Sequence, residues 1–91
     1  MEKIDTLDLS RVKHKLLREG WMPNEVSAAE AAYRRFLKQA AVKPTVPDMQ
    51  VDKFWHAHIL DTERYAKDCE AVFGRMLHHD PFGDAAYCAS N

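Results

Sequence analysis

Between Val51 and Cys69 the chain reads VDKFWHAHILDTERYAKDC, which gathers a Trp, two His one residue apart, a Tyr and a Cys, and His78 and His79 follow a little further on. Four of the five histidines lie in this one region. Imidazole and thiolate are the side chains that bind transition metals and titrate near neutral pH. The chemistry they suggest is a metal site in which His58, Cys69 and one of His78 or His79 converge on an ion, with His56, Asp52, Asp61 or water completing the coordination. Such a donor set suits Zn²⁺, which takes imidazole and thiolate in tetrahedral geometry. The spacing itself is not diagnostic, because the chain has neither a CxxC pair nor an HExxH motif. The competing reading is structural. A buried Trp55 indole N–H or Tyr65 hydroxyl left without a partner costs about 1 to 3 kcal/mol, so His58, Asp61 or Thr62 has a use as a hydrogen-bond partner in an internal network. Cys69 then serves as a small buried apolar group.

Helical phase divides the two central histidines. An α-helix advances about 100° per residue, so His56 and His58 point about 200° apart and cannot share an ion on a regular helix. Val51, Phe54, Trp55, His58 and Ile59 follow the spacing of a buried stripe, which turns His58 inward. His56 falls on the opposite side, one turn after Asp52, and pairs with it. On the next helix Tyr65, Cys69, Val72, Phe73 and Met76 make the corresponding stripe, which turns Cys69 inward too.

The elements that must position these groups read as helices, because no run shows the strict alternation or β-branched enrichment of a strand. A first helix is bounded by Asp8 or Ser10 as N-cap and Gly20 past its end, with Leu9, Val12 and Leu16 buried. A second begins between Pro23 and Ser27, where Ser27 and Glu30 have capping-box spacing. Its apolar face is Val26, Ala29, Tyr33, Phe36, Leu37 and Ala40. Lys43-Pro44-Thr45-Val46-Pro47 is a stiff connector, since each Pro removes a donor and biases its predecessor away from helix. A third helix runs from about Asp48 to Leu60, and a fourth, capped by Asp61 or Thr62, continues to about Phe73 with Gly74 closing it. The tail from His78 to Asp84 has turn composition. The expected fold is all-α: a compact four-helix single domain over residues 1–91, its third and fourth helices forming an αα-hairpin around the His/Cys cluster.

A chain that is 46% hydrophobic and 30% charged, with three Gly and four Pro, is globular rather than disordered or fibrous. No basic stretch followed by an apolar run opens it, and no segment approaches the length of a membrane span, so a cytosolic protein with free thiols at Cys69 and Cys88 is expected. Residues 1–43 carry nine Lys/Arg against six Asp/Glu, and residues 44–91 carry four against eight. That polarity is too weak to argue for nucleic acid. The basic side chains Arg11, Lys15 and Arg18 on the first helix, with Arg34, Arg35 and Lys38 on the second, read as a solvated face.

The run from Val51 to Cys69, followed by FGRMLHHDPF from Phe73 to Phe82 and preceded by AAYRRFLK from Ala31 to Lys38, resembles the glycine-rich-domain-containing-protein-like family. In that family a Val-Asp-x-x-Trp-His-x-His element precedes a Tyr-x-x-Asp-Cys element and a later His-x-Pro element. The resemblance covers about residues 20–82. It points to Asp52, Trp55, His56, His58, Tyr65, Asp68, Cys69 and His79 as the positions matching the family pattern. The glycine-rich region of the longer plant members has no counterpart here, so their RNA-linked roles do not transfer, and the chain looks like a minimal bacterial or phage form. Two functional classes follow. One is a small metal-binding protein with ligands among His58, Cys69, His79, His56 and His78, supported by Asp52, Trp55, Asp61, Tyr65 and Asp68. The other is an interaction adaptor that meets a protein partner through an exposed helix face, its aromatic and histidine cluster being a structural network. Neither a nucleophile–base pair nor a phosphate-cradling loop can be read out for an enzyme.

Overall fold

The computed structural model describes residues 2–88. The ends of the expected domain span, residue 1 and residues 89–91, lie outside the described residues. The element order is α1 (Glu2–Asp5), α2 (Ser10–Arg18), α3 (Pro23–Ala40), α4 (Met49–Leu60), α5 (Thr62–Phe73), β1 (Leu77–His79) and β2 (Ala86–Cys88). The protein is therefore mostly helical but not purely all-α.

Local chemistry explains most boundaries. Asp8 Oδ1 accepts from the Ser10 amide at 3.0 Å and from the Ser10 hydroxyl at 2.6 Å, which satisfies a free donor at the start of α2. Its far end passes into Gly20 at φ 100°, a left-handed conformation that disfavours any residue with a Cβ. α3 opens with Pro23 in its first turn, and Glu25 reaches back to accept from the Met22 amide at 2.8 Å. The Ser27–Glu30 capping box expected from spacing is not used. Ser27 lies inside the helix, and Glu30 instead pairs with Lys13 and Arg34. Asp48 caps α4 by accepting from the Val51 amide at 2.9 Å, and Gly74 closes α5 at φ 70°. α4 and α5 are separated by Asp61 alone and pack against one another. Met76, placed by phase on the α5 stripe, falls beyond the end of that helix and is exposed.

The tail departs from expectation. Leu77 pairs with Cys88, His78 with Tyr87 and His79 with Ala86 in a two-stranded antiparallel sheet. The turn composition between them is real, since the Asp80 amide donates to Ala85 O at 2.9 Å and Asp80 Oδ1 accepts from the Phe82 amide at 2.9 Å. The connector between α3 and α4 takes part as well. Thr45 and Ala86 exchange both backbone hydrogen bonds, at 3.0 and 2.7 Å. Strands this short cannot display a period of two, so helical and turn signals outweigh any strand signal in this segment of the sequence.

One core joins these elements, with α3 and α4 at its centre: Tyr33 meets Phe54 at 4.9 Å between ring centroids, and Phe36 meets Trp55 at 5.2 Å. Leu77 and Ala86 bring the small sheet onto it. Cys69 is buried, Cys88 is half-buried, and both are free thiols.

Candidate functional site

The inward face of α4 carries Val51, Phe54, Trp55 and His58, all buried, as helical phase requires. His58 is 2% exposed and is held at both ring nitrogens: Tyr33 Oη lies 2.7 Å from Nδ1, and Asp68 Oδ2 lies 2.8 Å from Nε2. A carboxylate only accepts, so Nε2 carries the hydrogen, and Nδ1 takes the Tyr33 proton. The protonation states agree with that assignment. Burial pushes the His58 pKa below the ordinary imidazole value against the opposing pull of Asp68, and burial raises Tyr33 well above the usual phenol range. Arg64 extends the chain outward, with its Nε 3.6 Å from Asp68 Oδ1. The order hydroxyl, imidazole, carboxylate has the look of a nucleophile relay. Yet Tyr33 is 0% exposed, so no substrate meets its hydroxyl, and the relay ties α3, α4 and α5 together instead.

A second chain runs beside it. Trp55 Nε1–H donates to Tyr65 Oη at 2.9 Å, and the Tyr65 hydroxyl donates to the Leu77 carbonyl at 2.6 Å. Burial, first among its causes, raises the Tyr65 pKa, so the hydroxyl keeps the proton it donates. The Cys69 thiol lies against the same Tyr65 hydroxyl and Leu77 backbone, and burial raises its pKa, which leaves a protonated sulfur in an apolar pocket. These bonds fix the start of β1 to α4 and α5.

That anchoring matters two residues later. Side chains alternate along a strand, so Leu77 enters the core, His78 turns outward against Tyr87 at 5.5 Å, and His79 turns back toward α4. There His79 stacks on the Trp55 indole, with ring centroids 4.7 Å apart and planes 16° from parallel. Its ring edge meets the outward face of α4, where Asp52 and His56 stand one turn apart. One ligand atom from each of Asp52, His56 and His79 lies within 4.8 Å of the other two. His56 Nδ1 is 2.7 Å from the Asp52 carbonyl oxygen and 3.2 Å from Asp52 Oδ2. His79 Nδ1 donates to the Asp80 carbonyl at 3.1 Å, which turns Nε2 toward Asp52 Oδ1, 3.4 Å away. Both of those facing atoms are buried and have no hydrogen-bond partner. With Nδ1 as the protonated nitrogen, a neutral His79 sets a lone pair against a carboxylate oxygen. Something positive belongs between them, either a cation or a second proton.

The residues singled out from sequence thus divide among separate environments. Asp52, His56 and His79 come together. His58 and Asp68 belong to the Tyr33 network, and Trp55, Tyr65 and Cys69 to the second chain. His78 stands on the outer face of β1. Asp61 makes a two-bond ion pair with Arg11, at 2.7 and 3.1 Å, on the surface. The Cys69 thiol and the His58 ring are occupied within the core, so His58, Cys69 and His79 do not form one cluster. Tyr33 was missing from the sequence-derived site. Its place on the apolar stripe of α3 signalled burial, and a buried hydroxyl always raises the question of its partner.

The lowered His58 pKa has a consequence for stability. The unfolded chain takes up a proton at the ordinary value of about 6.5, whereas the folded protein resists it to lower pH. Unfolding therefore binds protons in the window below about pH 6.5, and stability, level with respect to this group above that value, falls as the pH drops through the window toward the folded pKa. Urea midpoints measured between about pH 8 and pH 5 are expected to decline below the unfolded pKa, and a His58→Gln variant should show a flatter profile in that range. A profile unchanged by the substitution would contradict the assignment.

The fold and the site define a small helical protein with a buried Tyr-His-Asp network and a His/Asp cluster at the junction of a helix and a short strand. Residues 5–86 match the family model described as UCP032817-like, and the chain belongs to that family. A stretch of 34 residues is 44% identical to "Glycine-rich domain-containing protein 2" of Arabidopsis thaliana. That stretch is 37% of this chain but 4% of the plant protein. No solved structure matches significantly. Among the described residues, no helix is long and apolar enough to cross a membrane.

Proposed function

We propose that the protein binds a divalent transition-metal ion through Asp52, His56 and His79. The observation that carries this reading is the buried, unpartnered pair of Asp52 Oδ1 and His79 Nε2 facing one another at 3.4 Å. Ligand atoms about 2.1 Å from a zinc ion stand about 3.4 Å apart at the edge of a tetrahedron, so this separation is already that of two ligands. His56 supplies a third donor from the same face of α4. Two imidazoles and a carboxylate suit Zn²⁺ or Fe²⁺, and three protein ligands leave a position for water or a bound molecule, as in catalytic rather than purely structural sites. The Asp80 carbonyl, holding His79 Nδ1–H, does for the ligand what outer-shell partners of metal-bound histidines do: it sets tautomer and ring orientation.

Untagged protein purified without added metal, then assayed by elemental analysis and by thermal melting with added zinc, tests the proposal. About one equivalent of metal, or a zinc-dependent rise in melting temperature, is expected. His79→Ala should abolish that response, while His78→Ala and Cys69→Ser should retain it. Absence of both metal and melting response in the wild type would leave a proton as the species between Asp52 and His79, and the metal reading would fail.

A further inference from the structure

We infer that the groove between α2 and α4 binds a small organic anion, a carboxylate with an apolar ring or chain, beside the Asp52, His56 and His79 cluster, with which the groove shares His56. Two adjoining depressions form the groove. One, of about 300 Å³, is walled by Trp21, Lys53 and His56; the other, of about 430 Å³, is walled by Arg11, His14 and Arg18; and Lys15, Ala57 and Leu60 line both. His56 is thus both a wall of the groove and a member of the ligand cluster. It is half-exposed, which leaves its ring accessible from the groove side.

Charge selects the occupant. Glu19 and Asp61, the two carboxylates along the groove, are already neutralised by Lys15 and Arg11. Among the described residues Lys53 and Arg18 make no ion pair, so the unsatisfied charge is positive. The apolar surface is Ala57, the indole of Trp21 and Leu60, which is 69% exposed. Cationic walls over an apolar floor complement a molecule with one anionic end and a hydrophobic body. The volumes are those of a small ligand, and the carboxylates of Glu19 and Asp61 interrupt the cationic track that an extended acidic peptide would need.

Benzoate and benzamide, equal in shape and different in charge, are the probes. With zinc-loaded protein, benzoate is expected to shift the Trp21 indole N–H and the Ala57 and Leu60 amide resonances, with a dissociation constant of about 1 mM or tighter, and benzamide to bind at least about ten-fold more weakly. Lys53→Ala should weaken benzoate about five-fold while leaving zinc affinity unchanged. If zinc binds and benzoate leaves those resonances unmoved, the groove assignment is overturned and the metal reading stands. If the protein takes no zinc, the metal reading fails, and the same benzoate and benzamide comparison on the metal-free protein upholds or overturns the groove assignment. Binding of hexaglutamate along Arg11 and Arg18 in preference to benzoate would overturn the small-anion assignment in favour of an acidic peptide.

Discussion

Replacing His58 by alanine is expected to lower the free energy of unfolding by about 3 to 5 kcal/mol. The imidazole is fully enclosed, and its loss strands two partners at once: the Tyr33 hydroxyl, at 0% exposure, and the Asp68 carboxylate, buried at 9%. Each orphaned polar group costs about 1 to 3 kcal/mol, more where it is charged, and the vacated ring adds a cavity. Asp68→Asn is the informative companion. It keeps an oxygen to accept from His58 Nε2–H and loses mainly the ion pair with Arg64, so a cost of about 1 to 2 kcal/mol is expected. Denaturant titrations of the three proteins, each with and without a chelator, check the ordering. A His58→Ala loss below about 1 kcal/mol would show that the network does not hold the three helices together, and a loss that vanishes on chelation would mean that His58 acts through a metal after all.

The same helix shows how far a one-dimensional pattern reaches. Phase alone turns His58 inward and His56 outward beside Asp52, and both are where the structure has them. It turns Cys69 inward correctly as well, but an inward side chain on α5 meets Tyr65 and the Leu77 backbone rather than an ion. What phase cannot supply is the third member of the surface cluster. His79 reaches Asp52 only because residues 77–79 are a strand, and that strand depends on pairing with Ala86, which in turn pairs with Thr45. Such a register is written in contacts far apart along the chain, with three residues per strand and no local periodicity to announce it. The choice between His78 and His79 follows from that alternation alone. The family's His-x-Pro element pointed to His79, but gave no reason for it that geometry could test. Tyr33 and Asp68 illustrate the same limit: each sits where its own helix predicts, yet their meeting through His58 is a property of how three helices pack.

Trp55→Ala is expected to cost about 4 to 5 kcal/mol, the upper range for truncating a large buried aromatic, and to erase the metal binding proposed above even where the protein stays folded. The indole fills the centre of the core at 0% exposure against Phe36, donates to Tyr65, and provides the surface on which the His79 ring lies. Removing it takes away the packing of α4 on α3, a donor for the Tyr65 oxygen, and the platform that aims His79 Nε2 at Asp52 Oδ1. A domain of this size has about 5 to 10 kcal/mol in total, so a loss of this magnitude brings unfolding near ambient temperature. Two gentler variants separate the roles. Trp55→Phe keeps an aromatic platform and much of the volume while losing the N–H, so zinc affinity should stay within a few-fold of wild type as stability falls by about 1 to 2 kcal/mol. Tyr65→Phe leaves the indole in place but frees the Leu77 carbonyl, and with it the start of the strand that carries His79. Zinc affinity should then fall about 10- to 100-fold, the range for losing a group that orients a metal ligand. Calorimetric titration at a temperature where all three remain folded decides the matter. Equal affinity in Tyr65→Phe and wild type would mean that β1 holds His79 in place without the Trp55–Tyr65–Leu77 chain, and that the buried aromatic network and the surface cluster are independent parts of the molecule.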